Sequence, residues 1–166
     1  VLFAGENSNS EISSIRLRSG YENKDAGDTG NLLIRAKDIA FTDGAQINSS
    51  TYGKGNGGEV TLDADSVSFA GERKNGMGSS ISVTTRYEED GAGDAGTVLI
   101  EAKDIAFRGG AYINSTTYGR GGGGEVMFKA DSVSFAGETS DEWGSMIQVT
   151  SSYKEDDAGD GGTLLM

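Results

Sequence analysis

The side chains of this 166-residue sequence with the clearest potential for chemistry are carboxylates that recur at regular intervals. Asp and Glu cluster in three similar segments, at residues 25–28, 88–94 and 155–160. Carboxylates stacked two strand spacings apart could bind Ca²⁺, with backbone carbonyls as further oxygen ligands. The candidate ligands are Asp28, Asp90, Asp94, Asp156 and Asp160. A solvated charged corner that keeps the protein soluble is the favoured alternative, because the segments match neither the EF-hand loop nor the Ca²⁺-binding nonapeptide.

Composition excludes several other kinds of site. The sequence has no Cys and no His, so it has no disulfide, thiol nucleophile, imidazole base or conventional zinc site. Its net charge of −12 argues against nucleic acid as a partner, since phosphate binding needs clustered Lys and Arg. No apolar run approaches the ~20 residues of a membrane-spanning helix, so no membrane insertion is expected. A catalytic site would interrupt a repeat once, and no such interruption is visible. We therefore expect that the protein has no enzymatic activity and binds no cofactor other than the candidate Ca²⁺.

The elements that would position these carboxylates are set by a long internal repeat. Residues 28–60 recur as residues 94–126, with identity at 23 of 33 positions. Gly30, Gly58 and Gly96 open three similar phrases, so that a short spacing is followed by a longer one. A fixed period of this size is typical of a stacked protein in which each unit packs only on its neighbours.

Each turn of the repeat contains three short segments in which apolar and polar residues alternate, the pattern of half-buried strands. The segments hold the β-branched and aromatic residues, and no apolar stripe has a helical period. The sequence therefore predicts an all-β fold, a parallel β-helix (β-solenoid) with three strands per turn and alternating 28- and 38-residue turns. Residues 1–166 would form a single segment, with complete turns at 30–57, 58–95, 96–123 and 124–161 and partial turns at 1–29 and 162–166.

Like residues should then lie above one another at the ~4.8 Å strand spacing. Five of the six Phe fall at one position of the second strand, and five of the six Tyr fall at the end of the third strand. We expect both sets to stack in columns. The predicted core comprises the inward positions of the three strands: Leu32, Ile34, Ala36, Val60, Leu62, Ala64, Val98, Ile100, Ala102, Val126, Phe128 and Ala130; Ile39, Phe41, Val67, Phe69, Ile105, Phe107, Val133 and Phe135; and Ile47, Ile81, Val83, Ile113, Ile147 and Val149.

The long turns carry loops whose frames repeat but whose tips differ, at residues 5–13, 71–79 and 137–145. Variable tips on a constant scaffold suit recognition of a glycan or a host protein, in which Trp and Arg often dominate. The candidate contact residues are Arg73, Lys74, Met77, Asp141 and Trp143. Unconstrained drift of loop tips explains the same variation equally well.

A second candidate surface is the outward face of the third strand, which carries uncharged polar residues in every turn. This face could bind glycan or ice, although an ordinary hydrogen-bonding ladder between strands is favoured. The ladder consists of Asn48, Ser50, Ser82, Thr84, Asn114, Thr116, Gln148 and Thr150.

Two phrases in particular are typical of a known family: 44–62 (GAQINSSTYGKGNGGEVTL) and 65–71 (DSVSFAG). They resemble the repeats of filamentous-haemagglutinin-type exoproteins, the large adhesins exported by two-partner secretion. The resemblance covers nearly the whole chain and implies a right-handed parallel β-helix at the bacterial cell surface, serving adhesion or acting as a rigid stalk. It carries over no catalytic or ligand-binding residue.

The sequence begins and ends within a repeat, so Val1 and Phe3 belong to a second strand without its first, and Leu164 and Met166 to a first strand without its second. Either a second copy stacks head to tail on these ends, or the same long chain continues beyond them. We expect a structural segment of a secreted bacterial surface adhesin or filament. The alternative is a glycan- or protein-binding module that uses the variable loops.

Overall fold

The computed structural model describes residues 1–5, 11–20, 25–88, 91–153 and 158–166, and in these segments the chain forms β-strands and no helix. Most strands are short, as expected for runs bounded by Gly and polar corners. The strands are β1 (Leu2–Ala4), β2 (Ser14–Ser19), β3 (Leu32–Arg35), β4 (Asp38–Thr42), β5 (Gln46–Thr51), β6 (Glu59–Asp63), β7 (Ser66–Ala70), β8 (Ser80–Thr85), β9 (Thr97–Glu101), β10 (Asp104–Arg108), β11 (Tyr112–Thr117), β12 (Glu125–Lys129), β13 (Ser132–Ala136), β14 (Met146–Ser151) and β15 (Thr163–Leu165).

Every third strand belongs to the same sheet, so the chain winds through three sheets in turn. The first-strand sheet has the order β3-β6-β9-β12-β15, the second-strand sheet β1-β4-β7-β10-β13 and the third-strand sheet β2-β5-β8-β11-β14. All of the pairings in these sheets are parallel. The predicted all-β parallel β-solenoid with three strands per turn is confirmed, with about four turns in the described chain.

The pairing register shows how short and long turns alternate. In the first-strand sheet Leu32 pairs with Val60 and Val60 pairs with Val98, a short step along the chain followed by a long one. In the third-strand sheet Ile47 pairs with Ile81 and Ile81 pairs with Ile113, two steps of nearly equal length. The extra residues of each long turn are therefore divided between the two corners that flank its third strand.

The core is a continuous column of apolar side chains along the solenoid axis. The Phe rings at one position of the second strand stack face to face, with centroids 4.8–5.0 Å apart and ring planes within 9° of parallel: Phe3, Phe41, Phe69, Phe107 and Phe135. The predicted Phe column is confirmed. The predicted inward positions of the central turns are buried or half-buried. Near β13, by contrast, Ala130 and Phe135 are exposed, because β13 is the end strand of its sheet in the described part of the chain.

The predicted stacking of Tyr52 on Tyr87 is wrong, and Tyr21, another member of the predicted column, lies outside the described residues. Thr51 pairs with Thr85, so the register places Arg86, not Tyr87, beside Tyr52. The Arg86 guanidinium lies 5.9 Å from the centre of the Tyr52 ring, a cation–π contact. The cause is the length difference between turns. Tyr directly follows the third strand in a short turn, whereas in a long turn one residue (Gly20, Arg86 or Ser152) stands between the strand and the Tyr.

A tight glycine corner joins the third strand of one turn to the first strand of the next. A Cβ atom on Gly96 would lie 2.0 Å from the carbonyl oxygen of Gly58, so only Gly allows the turns to stack this closely. Inward hydroxyls of the third strand bond to this corner: Thr85 Oγ1 donates to the carbonyl of Asp94 at 2.7 Å, and Ser115 Oγ to that of Gly96 at 2.8 Å. These bonds satisfy the polar groups of the buried corner.

Candidate functional site

In the described part of the chain two hairpin loops project from the solenoid, each before the third strand of a long turn. Residues 6–10 of the predicted variable loop at 5–13 lie outside the described residues. The first hairpin loop spans residues 72–78 and the second spans residues 138–144, each closed by an antiparallel bridge. The backbone N–H of Arg73 donates to the carbonyl of Met77 at 3.0 Å, and that of Thr139 donates to the carbonyl of Trp143 at 2.9 Å. At their tips Gly76 and Glu142 both have left-handed backbones, with φ of 77° and 65°. The two loops thus share one backbone design and differ in their side chains.

The short turn between these loops has a glycine corner that both loops touch. Gly109 and Gly110 have φ of 59° and 69°, the left-handed region that favours glycine. A Cβ atom on Gly110 would lie 2.0 Å from Thr139 Cγ2 of the second loop, and one on Gly78 of the first loop would lie 2.2 Å from the Gly110 carbonyl oxygen. The loops also contact each other, since the Ser140 backbone N–H donates to the Glu72 carboxylate at 2.9 Å.

A groove of about 280 Å³ lies between the two hairpin loops and the outward-facing side chains at the start of β11 and β14. The loops contribute Asn75, Met77, Asp141 and Trp143, while β11 and β14 contribute Tyr112, Asn114, Met146 and Gln148. Trp143 is 64 % exposed, and Met77 and Met146 are each about two-fifths exposed. Among the described residues that line the groove there is no Lys or Arg.

Three of the five predicted loop contacts line this groove, namely Met77, Asp141 and Trp143. The other two do not. Arg73 is half-buried against the preceding short corner, with its Cβ 2.9 Å from where a Cβ on Gly44 would lie, and its Nη2 donates to Met77 Sδ at 3.1 Å. Lys74 is exposed outside the groove.

Sequence reasoning missed the two largest side chains that the strands contribute to the groove, Tyr112 and Met146. The signal was available in the repeat, since the equivalent positions one repeat earlier hold Gln46 and Ser80. Replacement of Gln or Ser by a larger side chain with more apolar surface, at an outward strand position, marks a surface that differs from the other copy of the repeat.

The polar ladder of the third-strand sheet is a hydrogen-bonding ladder, as favoured. Ser50 Oγ donates to Asn48 Oδ1 at 2.8 Å and lies 2.8 Å from Thr84 Oγ1, and Thr116 Oγ1 lies 3.0 Å from Thr150 Oγ1. Ser50, Thr84 and Thr116 are buried. Their hydroxyls are occupied within the sheet, which argues against a flat glycan- or ice-binding face at these positions.

The acidic corners use their carboxylates to support the next turn. Asp28 Oδ1 accepts a hydrogen bond from the backbone N–H of Asn56 at 2.6 Å, and Asp94 Oδ1 accepts one from Gly122 at 2.6 Å. Asn56 lies between the two Asp residues and its Oδ1 accepts a bond from the N–H of Asp94. Asp160 is exposed.

Of the predicted Ca²⁺ ligands, Asp90 and Asp156 lie outside the described residues. Within the described part of the chain, no three Asp or Glu residues come close enough together to hold a metal ion. The Asp28 and Asp94 carboxylates are acceptors for backbone amides, and the Ca²⁺ site stays a prediction.

Outward charges pair between adjacent turns. Arg35 Nε lies 3.0 Å from Asp63 Oδ2, Lys103 Nζ lies 3.0 Å from Asp65 Oδ1, and Lys129 pairs with Glu101. The hydrogen bond from Lys103 to Asp65 raises the pKa of the Lys103 ammonium above its ordinary value of 10.5. These exposed pairs contribute solubility and register more than stability.

The predicted end-contact residues lie at the two open edges of the solenoid. Val1 and Phe3 are at the β1 edge, where the Phe3 ring stacks on Phe41 at 4.8 Å. Leu164 and Met166 are at the β15 edge and are 41 % and 75 % exposed. The structure thus leaves apolar side chains uncovered at both ends of the described chain.

No family model matches this sequence, and no curated protein or solved structure is similar enough to count as a match. The described residues include no helix of the length and apolar character needed to cross a membrane.

Proposed function

We propose that this chain is a rigid structural segment of a secreted bacterial surface protein, serving as the stalk of an adhesin or as part of a filament. One observation carries the proposal: each of the three parallel sheets continues through five strands, and one stacked Phe column runs without interruption from β1 to β13. Such a structure is built for length, since each additional turn adds one strand spacing of ~4.8 Å. Five strands per sheet correspond to about 19 Å of axial length.

The charge, the sequence resemblance and the composition of the chain support a role outside the cell. The net charge of −12 and the inter-turn ion pairs keep a long rod soluble and resist side-by-side association. The phrases at 44–62 and 65–71 resemble the repeats of two-partner-secretion exoproteins, whose bodies are stalks of this kind. No Cys is present, which is compatible with an oxidising environment.

The open edges favour a partner that continues the solenoid, either a second copy stacked head to tail or a further turn of the same chain. Edge strands carry unpaired N–H and C=O groups, and the apolar side chains Leu2, Leu164 and Leu165 lie exposed beside them. A stacked turn would pair these groups and bury these side chains. Negative-stain electron microscopy at low and high protein concentration tests stacking: fibres a few nanometres wide support it, and dispersed particles at both concentrations contradict it.

Antibody labelling of cells that make the protein tests the location. Antibodies raised against this chain should label intact cells or detect the protein in the culture medium, and external protease should remove the label. An antibody against a cytoplasmic protein serves as the control for lysis. Label that appears only after the cells are broken would refute a surface role.

A further inference from the structure

The groove between the two hairpin loops departs from the repeat in a consistent direction. Relative to the residues one repeat earlier, Tyr112 replaces Gln46 and Met146 replaces Ser80. At the tip of the second loop, Trp143 replaces Met77 of the first loop. A structural stalk requires none of these changes, because Gln46, Ser80 and Met77 fill the equivalent backbone positions one repeat earlier in the same solenoid. The changes enlarge the apolar surface at one place on the solenoid.

We propose that this groove is a binding site for a neutral oligosaccharide. Trp143 and Tyr112 line it with aromatic side chains, and Trp143 is 64 % exposed. The face of an aromatic ring carries a negative partial charge that attracts the weakly positive C–H groups on the face of a sugar ring. A large, exposed aromatic side chain at a concave site costs solubility unless a ligand covers it.

The polar residues of the groove match sugar hydroxyls. Asn75 Oδ1 accepts from the Met77 N–H and Asn114 Oδ1 accepts from Thr116 Oγ1, so the NH₂ groups of these two amides are the atoms that can donate to a ligand. Gln148 Nε2 donates to Thr150 Oγ1, so its Oε1 can accept, and the Asp141 carboxylate adds a further acceptor. A hydroxyl group can be donor or acceptor in turn, so this set recognises a polyhydroxylated ring without needing a charge on it. The volume of about 280 Å³ is at the small end of ligand sites and suits a short stretch of an oligosaccharide.

Charge selects against acidic sugars. No Lys or Arg is found among the described residues lining the groove, and Asp141 places a negative charge within it. The whole chain also carries a net charge of −12. Sulfated or carboxylated sugars would meet repulsion here, with no cation in the groove lining to offset it. The site is independent of the proposed stalk role, because that role rests on the continuous sheets and would stand if no sugar bound.

Fluorescence tests the proposal directly, because Trp143 is the only Trp in the chain. Neutral oligosaccharides of glucose, mannose and galactose are titrated to millimolar concentration, with a heparin-derived oligosaccharide and an apolar peptide as separate arms. We expect a saturable change in Trp143 emission with at least one neutral oligosaccharide and none with the sulfated one. No change with any neutral sugar, or saturable binding of the sulfated sugar or the peptide alone, would overturn the proposal.

The repeat supplies variants that the fold already accepts. Tyr112→Gln and Met146→Ser each restore the residue of the preceding copy and keep the fluorescent reporter, and each should weaken sugar binding about tenfold or more. Met127→Thr restores the residue of the preceding copy at Thr61, outside the groove, and serves as the matched control. Unchanged affinity in Tyr112→Gln, with an unchanged circular dichroism spectrum, would contradict the proposed site.

Discussion

The Phe column offers a test of how the solenoid is stabilised, because the same side chain occurs at the same position in successive turns. Phe69 lies at the centre, fully buried, with Phe41 and Phe107 stacked on its two faces at 4.9 and 5.0 Å. Phe135 lies at the end, 43 % exposed, with one Phe of the column stacked on it at 4.9 Å. Substituting each by Ala compares an interior position with an edge position in identical local sequence, since residues 66–72 and 132–138 are the same.

The expected magnitudes follow from burial. Phe→Ala in a closed core removes the transfer free energy and leaves a cavity, at a cost of about 4 kcal/mol. Phe69→Ala should reach this value, because both of its ring faces lose a partner. At Phe135 roughly three-fifths of the side chain is buried and the open edge leaves no closed cavity, so the loss should be about 2 kcal/mol. Leu33→Ala, at an outward position that is 53 % exposed, should change stability by less than about 0.5 kcal/mol.

Equilibrium urea denaturation at low micromolar concentration measures these values, with circular dichroism reporting on the sheets. Fluorescence of Trp143 reports on the turn that contains Phe135. If each turn is stabilised mainly by its neighbours, Phe135→Ala should lower the urea midpoint followed by Trp143 fluorescence more than the midpoint followed by circular dichroism. Equal losses for Phe69→Ala and Phe135→Ala would refute the reasoning, because they would show that depth in the stack does not determine the contribution of the ring.

Three further predictions concern the corners, the ladder and the outward charges. Gly96→Ala should destabilise the protein by more than about 2 kcal/mol by thermal unfolding, because its Cβ would overlap the carbonyl of the turn below, whereas Gly161→Ala, with no atom within 4 Å, should be tolerated. Thr84→Val should cost about 1 kcal/mol in urea denaturation through the lost hydroxyl bond to the neighbouring turn; an unchanged midpoint would show that this bond is not needed. Asp65→Asn should lower the pKa of Lys103 toward 10.5 in an NMR titration. Because the pKa of Lys103 is higher in the folded than in the unfolded protein, its contact with Asp65 contributes its full stabilisation below pH 10.5 and loses it as the pH rises through the folded-state pKa. A wild-type Lys103 pKa already at 10.5 would contradict the contact.

The sequence alone determined the fold class, because the stacked turns of a β-solenoid require similar residues at regular intervals along the chain. Strands that stack turn upon turn need apolar residues at the same inward positions. The short step from Phe41 to Phe69 and the longer step from Phe69 to Phe107 show this period in the sequence, and the three residues pair in adjacent strands of the structure. It also identified the variable loops, since Met77 and Trp143 stand at equivalent positions on a constant frame. These are properties of local pattern and repetition, and they need no knowledge of distance.

The tertiary structure alone decided what surrounds each loop. Tyr112 is one residue in an alternating strand, and only the winding of the chain brings it beside Trp143 of the following turn to form the groove. The structure also put Arg86 beside Tyr52, where the sequence pattern suggested a column of Tyr. Unequal turns shift the register of the residues that follow a strand, and that shift depends on how the corners close. Repetition predicts which residues stack in the core, while the packing of the corners determines which side chains meet on the surface.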